Sequence, residues 1–384
     1  MYQIQMLNKI AAIGTDRLDK ALYTIGENIE NPDAILVRSA SMHEMELPEN
    51  LKAIARAGAG VNNIPVDKCA EAGIVVFNTP GANADGVKEL AVAALLLASR
   101  DIVGGIEWAK TLAGDPDAAK KVEKGKSAYA GCEVAGKTLG VIGLGAIGGL
   151  VANVAEDLHM TVLGCDPYIS INAAWGLSRK IKHAASYEDI YKAADYITLH
   201  VPATPTTKKM INKDTIAMMK DGVRIINLAR ADLVDADAIK EALASGKVAA
   251  YVTDFPTPET IGAKGITCIP HLGASTAESE DNCAVMACDE LHEFLTTGNI
   301  KNSVNYPNVA IPHTGACRVC VFHKNIPNML NAITAAFKNV NIENMANGSK
   351  GDYAYTLVET GEAVPADVID AVKGIEGVIK TNVL

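Results

Sequence analysis

Four polar side chains stand just after strand-like apolar runs in the second half of the chain: Arg230 after IINLA, Asp254 and Glu259 after AAYVT, and His271 after ITCIP. An imidazole titrates near neutral pH, so His271 can take a proton from a hydroxyl and return it to the resulting carbonyl. Glu259, bonded to the other ring nitrogen, would select the tautomer and steady the cationic ring. Arg230 offers a planar, two-pronged donor that suits a carboxylate and its neighbouring oxygen, a geometry lysine cannot copy. Singly, each residue also fits a bland role: an exposed strand-end charge, a loop carboxylate, a turn histidine. On successive strand ends they point to catalysis.

A second pattern says what such a site would need. Gly143, Gly145 and Gly148 form GLGAIG, with Ala146 and Ile147 between the last two, directly after the strand-like TLGVI and before the helical AIGGLVANVAEDL. The first glycine permits a tight turn, the second lets backbone approach a pyrophosphate, and the third lets helix and strand pack closely. Asp166 closes the next strand, 18 residues beyond Gly148, where a carboxylate can accept from an adenosine ribose and would repel a 2′-phosphate. NAD is therefore expected over NADP, although Arg179 and Lys180 are cations that could accommodate that phosphate. His200, in LHVP, also follows a strand and is read as structural or cofactor-lining.

The elements that must position these groups follow from periodicity. From Asn31 to Pro80 short apolar runs alternate with turns and helical patterns, as in βα units. GVKELAVAALLLASRDI reads as a buried helix followed by the polar DPDAAKKVEKGKS, so a boundary is expected near Arg100. A second α/β series runs from Gly136 to the histidine, with near-continuous apolar strands that suit a parallel sheet covered on both faces. The last seventy or so residues change pattern to βαββαβ (RVCVFH, IPNMLNAITAAF, VNIENM, YAYTLVET, PADVIDAVKG, VIKTNVL).

The totals exclude several classes. A chain of 384 residues suits two or three domains, and a net charge of −10 argues against nucleic acid or an anionic membrane as partner. The N-terminus lacks the basic and apolar regions of a signal peptide, and LAVAALLLA is far shorter than the ~20 residues of a membrane span. A cytoplasmic protein is expected. Eight scattered cysteines read as small buried hydrophobes, and Cys317 and Cys320, the only CxxC, lie in a strand where residues three apart face opposite ways; no metal site is expected.

At NLAR, DFPTPE and PHLGAST the chain resembles the D-isomer-specific 2-hydroxyacid dehydrogenases. Asp254 and Glu259 lie 24 and 29 positions beyond Arg230, the family's usual spacing; Phe255 is shifted one place and Ala231 replaces the usual glycine. The resemblance implies an α/β fold with a Rossmann-like NAD domain (101–276) inserted in a flavodoxin-like substrate domain (1–100 and 277–304). A C-terminal βαββαβ, ACT-like domain (313–384) would follow. It makes Arg230, Glu259 and His271 catalytic, and places Asp254 at the nicotinamide carboxamide. Val201, Pro202, Thr207, Ala229 and Gly273 join His200 and the glycine loop as cofactor contacts. VRSA and AGAGVNN are similar to substrate-receiving segments: Arg38 and Ser39 for a phosphate, the backbone of Ala59, Gly60 and Val61 for a carboxylate, and Asn83 nearby.

By the same resemblance the C-terminal domain marks a substrate of small phosphorylated hydroxy-acid type, 3-phosphoglycerate, oxidised with NAD to 3-phosphohydroxypyruvate as the first step of serine biosynthesis. L-serine would be an effector held by His323, Asn325 and Asn341 between domains of a homo-oligomer, with Asn328 where glycine is common. Other outcomes are a hydroxypyruvate or glyoxylate reductase, another D-2-hydroxyacid dehydrogenase, or an NAD-sensing, corepressor-like binding protein.

Overall fold

The computed structural model describes residues 1–384, which divide into two compact units: Met1–Asn83 with Ala277–Leu384, and Ala84–Thr276. In the first unit β1 (Tyr2–Met6), β2 (Tyr23–Gly26), β3 (Ala34–Val37), β4 (Ala53–Arg56) and β5 (Val75–Asn78) form a parallel sheet in the order β2-β1-β3-β4-β5. That is the flavodoxin-like order. The helix Ala277–Thr297 returns to it and buries Ala284, Ala287, Leu291 and Phe294 against Ile4, Leu36 and Phe77.

The second unit holds β6 (Thr138–Ile142), β7 (Thr161–Cys165), β8 (Lys182–His183), β9 (Tyr196–Leu199), β10 (Val223–Asn227), β11 (Val248–Thr253) and β12 (Ile266–Cys268). They run parallel in the order β12-β11-β10-β9-β6-β7-β8, the Rossmann arrangement, with its switch point between β6 and β9. The helix Ala84–Ser99 belongs here rather than before a boundary near Arg100. Its Val87, Ala91 and Leu95 pack with Leu139, Val141 and Val252. A helix whose second half, LAVAALLLA, is apolar on every side does not announce in sequence which sheet it covers.

The C-terminal strands β13 (Cys317–Lys324), β14 (Ile342–Lys350), β15 (Tyr353–Thr360) and β16 (Val378–Val383) form an antiparallel sheet in the order β14-β15-β13-β16. Two helices, Met329–Ala336 and Ala366–Lys373, cover one face through Ile333 and Val372 over Val319, Val321 and Val358. The other face does not end a separate domain. Cys320, Phe322, Tyr355 and Leu357 join the same core as Ile4, Phe77 and Phe294. The Lys380 ammonium donates to Glu49 O and Leu51 O at 3.0 and 2.7 Å.

Arg318, fully buried, reaches the carbonyls of Thr297 and Pro312 at 2.6 and 2.8 Å and stands 3.2 Å from Glu359. All eight cysteines are free thiols. No helix is long and apolar enough to cross a membrane.

Candidate active site at the strand ends of the second unit

The loop after β6 shows why its glycines are required. Gly143 adopts φ +90°, and a Cβ there would lie 2.5 Å from His200 O; one on Gly148 would lie 1.9 Å from Gly143 O. A Cβ on Gly145 would meet nothing within 4 Å, so that backbone faces open space at the start of the helix Ala146–Asp157. Asp166 accepts from Leu144 N through Oδ2 and from Tyr168 N through Oδ1, both at 2.9 Å, which ties the end of β7 to the glycine loop. Lys180 is drawn away to Glu156 at 2.5 Å. A turn at the switch point, a bare helix N-terminus and an acceptor at the ribose position fit NAD.

His200 follows β9 beside that loop. Its Nε2 lies 2.9 Å from Thr198 Oγ1 while Nδ1 has no partner, and burial pushes its pKa down to about 4, so the ring is neutral. In the segment that follows, the Thr207 hydroxyl donates to Pro202 O at 2.6 Å and closes the loop beginning at Val201.

Arg230 follows β10 in extended backbone, exposed, with Nη1 donating to Ala229 O at 2.6 Å. Asn227, the last residue of β10, holds the Arg230 carbonyl at 2.8 Å. His271 takes φ +48°, a left-handed conformation histidine tolerates better than most residues, after its N–H bonds Ile269 O at 2.9 Å across Pro270. Its ring lies 4.7 Å from that of Phe255, and the Arg230 guanidinium lies 5.8 Å from the same ring.

Asp254, only 2 % exposed, accepts from Gly273 N and leaves Oδ1 without a partner. Burial raises its pKa, against the opposing pull of His271 and the Gly273 amide. An unpaired, buried acceptor is what a carboxamide N–H₂ would satisfy. The structure thus brings together Arg230, Asp254, Phe255, His271 and Gly273.

It does not bring Glu259 to His271. The turn Thr257–Ile261 is closed by Thr257 N to Thr260 Oγ1 at 2.9 Å and Ile261 N to Thr257 O at 3.0 Å, and it turns Glu259 outward. There the exposed carboxylate bonds the Thr257 hydroxyl, which lowers its pKa. The expected Glu259–His271 hydrogen bond is absent, and His271 instead contacts Phe255.

In the first unit the exposed Arg38 pairs with Glu280 at 2.6 Å. The N–H groups of Arg38, Ser39 and Ala40 all donate to Asn8 Oδ1, at 3.1, 2.9 and 2.9 Å. Asn8 was not singled out from the sequence, although its place just beyond the apolar end of β1 was the available signal. Arg56, also missed, donates to Arg38 O at 3.0 Å. The N–H groups of Ala59, Gly60 and Val61 donate to no backbone carbonyl, and the Ala59 carbonyl is held by Asn78. Asn83 is buried with Oδ1 unpartnered.

The three effector candidates are not brought together. His323, 2 % exposed, bonds Lys324 O through Nδ1 at 2.8 Å and Thr356 Oγ1 through Nε2 at 2.9 Å, and burial lowers its pKa. Asn325 donates to Gly351 O at 3.0 Å beyond the Lys324–Tyr353 end of the sheet. Asn341 precedes Ile342, which pairs with Thr360 at the opposite end, on the order of 30 Å along the strands. Asn328 has φ 70°, so asparagine fills the left-handed position for which glycine is usual.

A parallel sheet of this order, with a glycine-rich turn at its switch point and a histidine and an arginine on neighbouring strand ends, defines an oxidoreductase of the dinucleotide-binding α/β class. Residues 92–275 match the D-isomer specific 2-hydroxyacid dehydrogenase, NAD binding domain. The chain is 32 % identical over 380 residues to the D-3-phosphoglycerate dehydrogenase of Haemophilus influenzae, covering 93 % of this chain and 88 % of that one. It belongs to the D-isomer specific 2-hydroxyacid dehydrogenase family.

The D-3-phosphoglycerate dehydrogenase of Methanocaldococcus jannaschii is 35 % identical over 295 residues, covering 74 % of this chain; the chain spans about half of that relative, 53 %. Among solved structures, the NAD⁺-bound 3-phosphoglycerate dehydrogenase of Entamoeba histolytica superposes with a TM-score of 0.62 at 25 % identity, covering 79 % of this chain and 98 % of that one. A D-mandelate dehydrogenase of Rhodotorula graminis shares the fold, with a TM-score of 0.67 at 24 % identity over 81 % of this chain and 99 % of that one.

Proposed function

We propose that the chain catalyses the reversible, NAD-dependent oxidation of 3-phosphoglycerate to 3-phosphohydroxypyruvate, the entry step of serine biosynthesis. The observation that carries this reading is the buried, unpartnered Asp254 Oδ1 beside His271 and Arg230 at the strand ends of a dinucleotide-binding sheet. Relatives named D-3-phosphoglycerate dehydrogenase match at 30 to 35 % identity, and the choice of substrate rests on them.

NAD bound along the glycine loop supplies the hydride acceptor. His271 takes the hydroxyl proton on an imidazole nitrogen as the alcohol carbon is oxidised, and returns it in the reverse direction. Arg230 grips the substrate carboxylate and the oxygen on the neighbouring carbon, stabilising the charge that develops there. Asp254 orients the nicotinamide carboxamide, and Asp166 accepts from the ribose. Arg38 and Ser39 are assigned to the phosphate, and the amides of Ala59, Gly60 and Val61 to the carboxylate.

L-serine as effector and a homo-oligomer are linked proposals: because Asn325 and Asn341 stand at opposite ends of one sheet, a serine touching both needs two copies of the module. A cytoplasmic location accords with the eight free thiols.

The test is NADH formation by the purified protein with 3-phosphoglycerate, compared with lactate, glycerate and 2-hydroxyglutarate. A preference for 3-phosphoglycerate supports the proposal and a preference for glycerate makes the protein a hydroxypyruvate reductase. No turnover with any of the four would favour an NAD-sensing binding protein.

A further inference from the structure

Phe255 occupies an unusual position. It follows Asp254 at the end of β11, and its N–H donates to Thr253 Oγ1 at 3.1 Å, so the backbone that carries the ring is fixed from the strand side. Its neighbour Asp254 is fixed from the other side by the Gly273 amide, two residues past His271. The ring itself makes two contacts with groups of opposite duty. The His271 ring lies 4.7 Å away at an interplanar angle of 44°, and the Arg230 guanidinium carbon lies 5.8 Å from the ring centre. Both distances fall where an aromatic ring attracts its neighbour, through edge and face contacts in one case and through the negative face of the ring towards a cation in the other.

The hydrogen-bonding alternative is missing. Glu259 is held in the turn by Thr257 and, together with Phe255, lines a cavity of about 220 Å³ to which Lys208, Lys209 and Asp232 also contribute. His271 and Arg230 do not line that cavity. With no carboxylate hydrogen-bonded to the imidazole and the guanidinium bonded only to its neighbouring carbonyl, the Phe255 ring packs near both, while the buried Asp254 carboxylate acts on both only through its charge.

We propose that Phe255 is a positioning residue of the dehydrogenase site, setting the imidazole plane of His271 and the direction of the Arg230 guanidinium through one shared aromatic ring. The inference rests on the dehydrogenase reading. A phenyl ring has only two torsions and loses little freedom when it serves as a platform, whereas a misplacement of about 1 Å at reacting groups costs on the order of 100-fold in rate.

The experiment compares Phe255→Leu, which keeps apolar bulk, with Phe255→Tyr, which keeps the ring. Phe255→Leu is expected to lose roughly 10- to 100-fold in kcat/KM for the keto acid, with kcat lowered and KM raised together because both His271 and Arg230 are released. NADH affinity and melting temperature stay close to those of the parent. Phe255→Tyr restores most of the loss. In the unliganded protein, the His271 ring-proton NMR signals, assigned by their disappearance in His271→Asn, are shifted by the aromatic ring in the parent and in Phe255→Tyr but not in Phe255→Leu.

Equal activity in the parent and Phe255→Leu overturns the proposal, as does a tyrosine variant no better than leucine or an absent ring-induced shift. A parent protein without turnover, but with the shift intact, overturns the dehydrogenase reading instead.

Discussion

The strand ends of the second unit and the C-terminal sheet each bury a histidine among hydroxyl, amide or carboxylate groups, yet His200 and His323 are treated in opposite ways. At the strand ends Asp254 Oδ1 and His200 Nδ1 are buried without partners. In the C-terminal sheet His323 is bonded at both ring nitrogens, and Thr356 passes the network on to Asn347 at 2.8 Å. A buried polar atom left unpaired costs about 1–3 kcal/mol; at the ligand-binding ends of a dinucleotide sheet such an atom is a place for a ligand to complete, whereas Arg318 Nε and Thr381 Oγ1 in the C-terminal sheet are unpaired within the fold. A satisfied network stabilises the fold and leaves little capacity for a ligand. Residue type alone therefore misleads, because histidine and asparagine serve both purposes.

The contrast can be broken most directly at His271. His271→Asn should lower kcat/KM by roughly 100- to 10,000-fold while leaving NADH binding intact, as read by steady-state rates and a fluorescence titration. An unaffected rate would remove the imidazole from the mechanism. At the cofactor turn, Gly143→Ala forces a side chain against His200 O in left-handed backbone. NADH affinity is expected to fall roughly 10- to 100-fold, measured by calorimetry.

The opposite behaviour is expected of Thr356→Val, which leaves His323 Nε2 and Asn347 without their shared hydroxyl. Stability should drop by about 1–3 kcal/mol in denaturant unfolding, with turnover unchanged. A loss of activity without a loss of stability would erase the distinction between the two regions.

The smallest effect concerns acid. Burial alone would raise the Glu359 carboxyl, but the His313 bond, the amides of Gly315 and Thr314, and Arg318 outweigh it and bring the pKa to about 2. Its ordinary value is 4.5. A depressed carboxyl contributes stability in full above the unfolded value and loses it as pH falls towards the folded one. The melting temperature should thus decline between about pH 4.5 and pH 2, and the part due to this group should vanish in Glu359→Gln.

Much of the fold was legible because its signals are local. GLGAIG between an apolar run and a helical one can be recognised without tertiary knowledge, and the order in which strands end in Arg230, Asp254 and His271 follows from the chain itself. What was hidden depends on direction. The five-residue step from Asp254 to Glu259 matched the family's spacing, but the threonine-closed turn sends the carboxylate outward. The allegiance of the helix Ala84–Ser99 was equally invisible, since the alanine and leucine of its second half suit either sheet. Asn8 was marked only by its place just beyond the apolar end of β1, a sign too general to announce that its side chain gathers three backbone amides.

The shared core beneath the C-terminal sheet has a consequence for how this protein can be taken apart. Phe322 packs against Tyr306, Phe294 and Tyr355, at ring separations of 5.0, 6.4 and 4.6 Å, so the seam between the C-terminal strands and the parallel sheet of the first unit is an interior rather than a docking face. Severing the chain before Cys317 would remove Cys320, Phe322, Tyr355 and Leu357 from that interior and leave Phe294 and Tyr306 without the ring they pack on. The last seventy or so residues are thus a co-owner of the first unit's stability: whatever loosens them is felt at the helix Ala277–Thr297 and at Ile4 and Phe77 of β1 and β5, which share the same core.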